Sequence, residues 1–398
     1  MPAPVIIFGA FDRHNLGDLL FAHITQSLLQ DRPCIMTGLA RRDLTRWGGL
    51  RVVSLADAVQ HTAGKRVHLV HAGGELLTCS NWEAAVMLQT QAEAMQAIAL
   101  YDAATPSIRD QWAQTQTGSD RIAPYVVPRS RFHSAGRWIF NAVGGVDLAL
   151  KKPVQVYEAL READFIGVRD HVTHGVLQAA GLAPHLLPDP AVLVRRLFHP
   201  RVTAASHDGA LAALREAMPN GYLALQFSAD FGDDVTLDQL ARQLLPFMTT
   251  NRLGIVLFRA GAAPWHDALE PYRRLKTRLP PDRVQLFEDL DIWRICALLA
   301  GSALYCGSSL HGRIVAMAYG LPRINLRHPL QQGNISKQAA YAETWETTGM
   351  PGCVAIPELA DSLRQALALK DSPRLRTAAR EWEARYLQGA AAWQALLD

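Results

Sequence analysis

A histidine stands near the start of a helix in "CGSSLHGRIVAMAYGLPRINL", Cys306 to Leu326. Gly320 and Pro322 supply that helix's stop signals, and "RINL" reads as the next strand. With Ser309 as N-cap, Leu310, His311 and Gly312 form a first turn whose amides have no helical partner. Such an end binds phosphate through free donors and the helix dipole. Histidine as a residue type changes protonation near neutral pH, which makes His311 a candidate acid or anion ligand.

Three earlier loops carry related chemistry. "FDRHNLGDLL" offers Asn15 or Asp18 as a helix cap and Gly17 for a tight turn. Asp18 is also a carboxylate suited to act as base toward a sugar hydroxyl. "HAGGELL" places Gly73, Gly74 and Glu75 after a strand, where paired glycines admit a ligand or another backbone. Gly-Gly is equally common turn punctuation, and His71 before it reads as a satisfied histidine within a sheet. "FIGVRDHVTHGVLQAAGL" ends a strand on Arg169 and places Thr173 to cap the next helix. An arginine emerging there would bind carboxylate or phosphate bidentately; the bland alternative is a structural ion pair. Asp189, between prolines in "LLPDPAVL", reads as a turn-former.

The elements that must hold these loops alternate along the chain. "VIIFGAF" (5–11), "VHLVHAGG" (67–74) and "DFIGVR" (164–169) are strand-like, each followed by a helical pattern. After a polar stretch around 199–209 the pattern restarts with "YLALQFS", "LGIVLFRAG", "VQLFED" and "ALYCGSS". Continuously apolar strands alternating with helices mean parallel sheets covered on both faces, in an α/β fold with two doubly wound halves. In such folds ligands sit at the C-terminal ends of strands, where all four loops fall. The expected division is 1–200, 210–372 and an amphipathic C-terminal helix over 373–398, crossing back to the first half or packing in an oligomer. Residues 104–140 read as one long irregular segment, functional or mobile. Its Arg121, Arg129, Arg131 and Arg137, with Tyr125 and Trp138, form a candidate acceptor surface, against the bland reading of a solvated loop.

Composition narrows the classes. The 398 residues are 49% hydrophobic, enough for two cores, and the formal charge is only +3 with no long basic run. That disfavours nucleic acid and suits small anions. Five scattered cysteines without a Cys-x-x-Cys argue against a disulfide framework or zinc site and for a reducing compartment. The N-terminus lacks a basic leader pattern, and no apolar run reaches the roughly 18 residues of a membrane span. The expectation is a cytoplasmic protein.

Taken in order, the motifs resemble the polysaccharide pyruvyltransferase family. They are "NLGD" (15–18), "GG" (73–74), "RDHVT" (169–173), "PDP" (188–190), and "SLHG" (309–312) with "GLP" (320–322). The resemblance implies two Rossmann-like domains facing a central cleft, similar to the GT-B architecture. It implies transfer of the pyruvyl skeleton of phosphoenolpyruvate to two hydroxyls of a sugar, giving a cyclic ketal and phosphate. Arg169 and His311 would then belong to the phosphoenolpyruvate site, with the first turn at 309–312. Asn15, Gly17, Gly73, Gly74, Glu75, Arg129 and Arg131 would serve the acceptor, with His311 and Asp18 as catalytic groups. No metal or cofactor is implied. The acceptor would be a cell-surface or exported polysaccharide or its lipid-linked precursor, with peripheral contact at the inner membrane face and a homo-oligomer as open expectations.

One residue departs from the family pattern: the arginine before Leu-His-Gly is Ser309 here. Arg313, four residues on and on the same helical face as position 309, is expected to reach back into that place. It lies roughly 200° around the helix from His311. Two alternatives stay open. A GT-B glycosyltransferase would use a nucleotide sugar, although Leu310 to Tyr319 lacks the acid such enzymes often carry. A binding protein could keep the fold without catalysis.

Overall fold

A computed structural model describes residues 2–29, 31–331 and 335–398. The chain divides into two units, the first running to Pro190 and including Ala384–Asp398, the second spanning Ala191–Glu383. This division falls ahead of the polar stretch near 200, where the sequence suggested it, because the helix Val194–Ser206 packs within the second unit. Its Phe198 lies against Trp293, ring centroids 5.0 Å apart, and Arg201 covers the same indole at 4.2 Å.

The first unit is built on eight strands: β1 (Val5–Phe8), β2 (Cys34–Gly38), β3 (Arg42–Asp43), β4 (Arg51–Ser54), β5 (Val67–His71), β6 (Ala135–Val143), β7 (Phe165–Val168) and β8 (His185–Leu186). Their order is β3-β4-β2-β1-β5-β6-β7-β8, parallel except for the short β3. Every residue of β1 and β5 is buried, as continuous apolar strands between helical layers require. His71 is part of that packing. It stacks on Phe140 at 3.9 Å, its Nδ1 donates to the Ile139 carbonyl, and its Nε2 accepts the Val127 amide. Burial pushes its pKa down to about 3.

The second unit carries β9 (Tyr222–Gln226), β10 (Gly254–Phe258), β11 (Val284–Phe287), β12 (Leu304–Gly307), β13 (Arg323–Leu326) and β14 (Cys353–Val354). All pairings are parallel, in the order β11-β10-β9-β12-β13-β14. This is the 3-2-1-4-5-6 order of the Rossmann fold, whose strand sequence reverses direction between β9 and β12. The first unit has the corresponding reversal between β1 and β5. Four of the sequence-derived loops follow β1, β5, β7 and β12.

The stretch 104–140 is more regular than its composition suggests. Pro106–Thr117 is a helix with Pro106 at its first turn and Gly118 in a left-handed C-cap, and β6 starts at Ala135. The C-terminal helix Pro373–Gln394 begins among second-unit residues, and from Ala384 onward it is grouped with the first unit. There the Tyr386 hydroxyl pairs with Asn141 at 2.8 Å, and Trp393 is fully buried.

Candidate functional site

In the first unit the loop after β1 sets Asn15 in extended conformation as the N-cap of the helix Leu16–Leu28. Its side chain accepts the amides of Gly17 at 3.1 Å and Asp18 at 3.4 Å, which leaves the Asp18 carboxylate free of capping. Asp18 faces Arg13 instead, 3.8 Å away, in a pair of which only 9% and 12% of the side chains are exposed. Gly73 and Gly74 both adopt left-handed conformations (φ 88° and 92°), which a side chain would strain. A Cβ on Gly74 would stand 3.4 Å from the Asp18 carboxylate. Asn15, Gly17, Asp18, Gly73 and Gly74 are thus gathered at the reversal point of the first sheet.

Arg13 was not singled out in the sequence. It donates to the Tyr125 hydroxyl at 2.6 Å, and that hydroxyl donates to Asp12 at 3.1 Å. Asp12 also accepts the amides of Leu39 and Ala40, at 2.6 and 3.1 Å, and burial raises its pKa. The alternation Asp-Arg before Asn15 was the available signal.

Arg169 does not emerge toward an open anion site. It is 2% exposed, with one terminal nitrogen 3.0 Å from the Asp189 carboxylate and the other 2.8 Å from Glu75. Asp189 is therefore the buried partner of Arg169 and more than a turn-former. Glu75 accepts the Val146 amide at 2.8 Å as well as Arg169, so it is occupied by protein partners. Gly144 leaves room for this pair, since a Cβ there would meet Glu75 at 2.3 Å. Asp170, rather than Thr173, caps the following helix, accepting the Thr173 amide at 2.7 Å and its hydroxyl at 2.9 Å. An isolated buried guanidinium is costly, and a two-carboxylate cradle is what holds it.

Arg129 and Arg131 lie at the opposite end of the sheet from Asn15 and the glycine pair. Arg129 pairs with Asp164, just before β7, and donates to the Gly136 carbonyl at the start of β6. Arg131 is exposed in the same short 3-10 turn. Tyr125 and Trp138, the expected sugar-stacking aromatics, are fully buried. The acceptor assignment of this cluster is corrected: strand register puts it at the N-terminal strand ends, away from the loops that hold ligands.

In the second unit Ser309 is the N-cap of the helix Leu310–Ala318, its hydroxyl accepting the Gly312 amide at 3.2 Å. Its own amide donates to the Gln226 side chain at 2.7 Å, and its carbonyl accepts from Tyr305 at 2.9 Å and Asn325 at 3.1 Å. The Ser308 hydroxyl takes the Ser228 amide at 2.9 Å. These bonds tie the loop after β12 to the end of β9, across the reversal point. Leu310 is buried at 3%, and His311, in the first turn, is half-buried.

Arg313 does not reach back to position 309. Its side chain is fully buried, pairs with Glu346, and donates to the Pro351 carbonyl at 3.0 Å, the Gly352 carbonyl at 3.2 Å and Asn325 at 3.3 Å. Arg323 binds the same Glu346. Burial alone would raise the Glu346 pKa, but Arg323 and Arg313 outweigh it and hold the carboxyl below its usual range. A guanidinium ringed by carbonyls and one carboxylate is a structural clamp, which corrects the expectation for Arg313.

Sequence reasoning also passed over Gln226, Arg259 and Asp267. Gln226 and Arg259 are each among the first polar residues at the end of an apolar strand, which was the legible signal. Among the described residues no His/Cys/Asp/Glu cluster is arranged for a metal ion, and no helix is long and apolar enough to cross a membrane.

Two parallel-sheet Rossmann-like units of this kind define the GT-B class of α/β proteins, and solved structures of that fold match nearly the whole chain. UDP-N-acetylglucosamine 2-epimerase from Rickettsia bellii is 12% identical, with a TM-score of 0.56 over 100% of this chain and 98% of its own. The 2-epimerase of Methanocaldococcus jannaschii is 10% identical, at 0.54 over 94% of each chain. Trehalose 6-phosphate synthase from Burkholderia multivorans is 13% identical, at 0.51 over 100% and 98%. Such identities carry the fold alone. At the level of sequence, residues 147–328 match the polysaccharide pyruvyl transferase family model. That segment holds "RDHVT", "PDP" and "SLHG" with "GLP", so the resemblance is borne out there, while "NLGD" and "GG" precede it. No curated protein matches the sequence.

Proposed function

We propose that the protein transfers the pyruvyl group of phosphoenolpyruvate to two hydroxyls of a sugar in a polysaccharide or its lipid-linked precursor. The observation that carries this reading is the Ser309-capped helix end at the β9/β12 reversal, with His311 in its first turn, inside the family-matched segment. The backbone of Leu310 and Gly312 and the cap at Ser309 shape the anion end. A phosphate or carboxylate placed there meets a helix N-terminus held rigid by Gln226, Tyr305 and Asn325.

The chemistry then needs an acid and a base. A proton delivered to the donor's methylene makes its central carbon electrophilic, and His311 is assigned that delivery or the stabilisation of the leaving phosphate. One acceptor hydroxyl adds to that carbon and loses its proton to a base, for which Asp18 is assigned. The C–O bond to phosphate breaks as the second hydroxyl closes the ketal, and the second hydroxyl proton leaves with phosphate. Asn15, Gly17, Gly73 and Gly74 shape the surroundings of Asp18. Arg169, Glu75 and Arg313 act by holding the loops, through their buried ion pairs.

Thermal unfolding with added phosphoenolpyruvate or UDP-sugars tests the donor, because a ligand of the native state raises the melting temperature. The expected result is stabilisation by phosphoenolpyruvate. Stabilisation by UDP-sugars alone would make the protein a glycosyltransferase instead, and a response to neither would favour a binding role.

A further inference from the structure

We infer that Arg259 is the cation that meets the donor's phosphate or carboxylate in the second unit, supplying the charge that Ser309 does not. The inference rests on the reading of this unit as the donor side. Arg259 is the first residue after β10, at the C-terminal strand end. In Rossmann folds the end of the second strand is where an acid reads a ribose hydroxyl or an arginine accommodates a phosphate.

Among the described residues the Arg259 guanidinium makes no hydrogen bond and no ion pair, and its Nε is enclosed by protein without a partner. Its two terminal nitrogens are neither enclosed nor bonded by protein, so they stand open to an anion. The contrast within this unit is direct. Arg313 and Arg323 are closed around Glu346, whereas Arg259 has no carboxylate within bonding reach. Its nearest acid in electrostatic terms is Asp267, but both Asp267 oxygens are engaged. One accepts the Ala260 and Gly261 amides at 2.6 and 3.3 Å, and the other accepts the Gln226 amide group at 2.8 Å.

The same network joins Arg259's loop to the helix end. Gln226 bonds Asp267 through its nitrogen and the Ser309 amide through its oxygen. β10 and β12 flank β9 on its two sides, so their ends are about 10 Å apart, two strand spacings. One arginine side chain and one phosphate group span that distance. The loop is also held stiff: the Asp267 amide donates to the Gly261 carbonyl at 3.1 Å, and the Ala229 amide to the His266 carbonyl at 2.9 Å. Within it Trp265 keeps a left-handed backbone (φ 63°) while 44% exposed, a strain that concentrates at functional loops.

The test compares full-length wild type, Arg259→Ala and Arg259→Lys in thermal titrations with phosphoenolpyruvate, inorganic phosphate and UDP. The expected result is at least tenfold weaker phosphoenolpyruvate binding in Arg259→Ala, partial retention in Arg259→Lys, and an unliganded melting temperature no lower than wild type. Equal phosphoenolpyruvate binding by Arg259→Ala overturns the inference and leaves the proposed function standing. A lowered unliganded melting temperature also overturns it, since Arg259 would then be structural. If UDP alone stabilises wild type and Arg259→Ala loses that effect, the anion role stands while the phosphoenolpyruvate reading fails. If none of the three anions stabilises wild type, both fail.

Discussion

At the scale of single residues, His311 and Arg313 sit two positions apart; the proposed function assigns His311 to the chemistry, whereas Arg313 is closed in a buried clamp. His311→Gln is expected to lower kcat by about 10²–10⁴-fold, the usual size of a lost proton transfer, while leaving the melting temperature near wild type. Phosphate release at saturating phosphoenolpyruvate measures it. Arg313→Ala leaves Glu346 to Arg323 alone and opens the buried clamp. The expected cost is about 3–5 kcal/mol in urea unfolding, the range for breaking a buried pair. Helical periodicity correctly put positions 309 and 313 on one side of the helix. It said nothing of Glu346, 33 residues away in sequence, which is what turns Arg313 inward. Arg169 takes the structural alternative, an ion pair, for the same reason: its partners Glu75 and Asp189 come from separate loops. Charged residues at strand ends are visible in a sequence, but their partners are set by the fold.

At the scale of elements, the loops after strands were legible because apolar runs ended in glycines and caps. "NLGD" and "SLHG" keep their expected places and caps. Strand order and register were not legible, and they decide that Arg129 and Arg131 lie at the wrong end of the sheet. The loop after β10 carries its own prediction. Burial pushes Asp267 up to about 7, against the lowering pull of the Ala260 amide, Gln226, the Gly261 amide and Arg259. An acid with a raised folded pKa contributes stability that is complete below its unfolded value near 3.8 and lost as pH rises through about 7. Wild type should therefore lose stability relative to Asp267→Asn between pH 5 and 8. Urea midpoints across that range check it, and parallel curves would contradict it.

At the scale of the whole chain, alternating buried strands and helices were enough to read two doubly wound halves. The units divide earlier than the composition suggested because Phe198 and Arg201 commit their helix to Trp293. The last turns of the C-terminal helix complete the first unit, through Tyr386 on Asn141 and the buried Trp393. Truncation after Glu383 is expected to lower the melting temperature by several degrees, because it uncovers buried apolar surface; an unchanged melting curve would refute this. The central claim is the transfer itself. It is tested most directly by incubating the protein with phosphoenolpyruvate and a sugar acceptor in D₂O and following the products by NMR. The account predicts inorganic phosphate and a pyruvate ketal in equal amounts, with one deuterium in the ketal methyl group from protonation of the methylene. Consumption of a UDP-sugar with phosphoenolpyruvate left intact would contradict it.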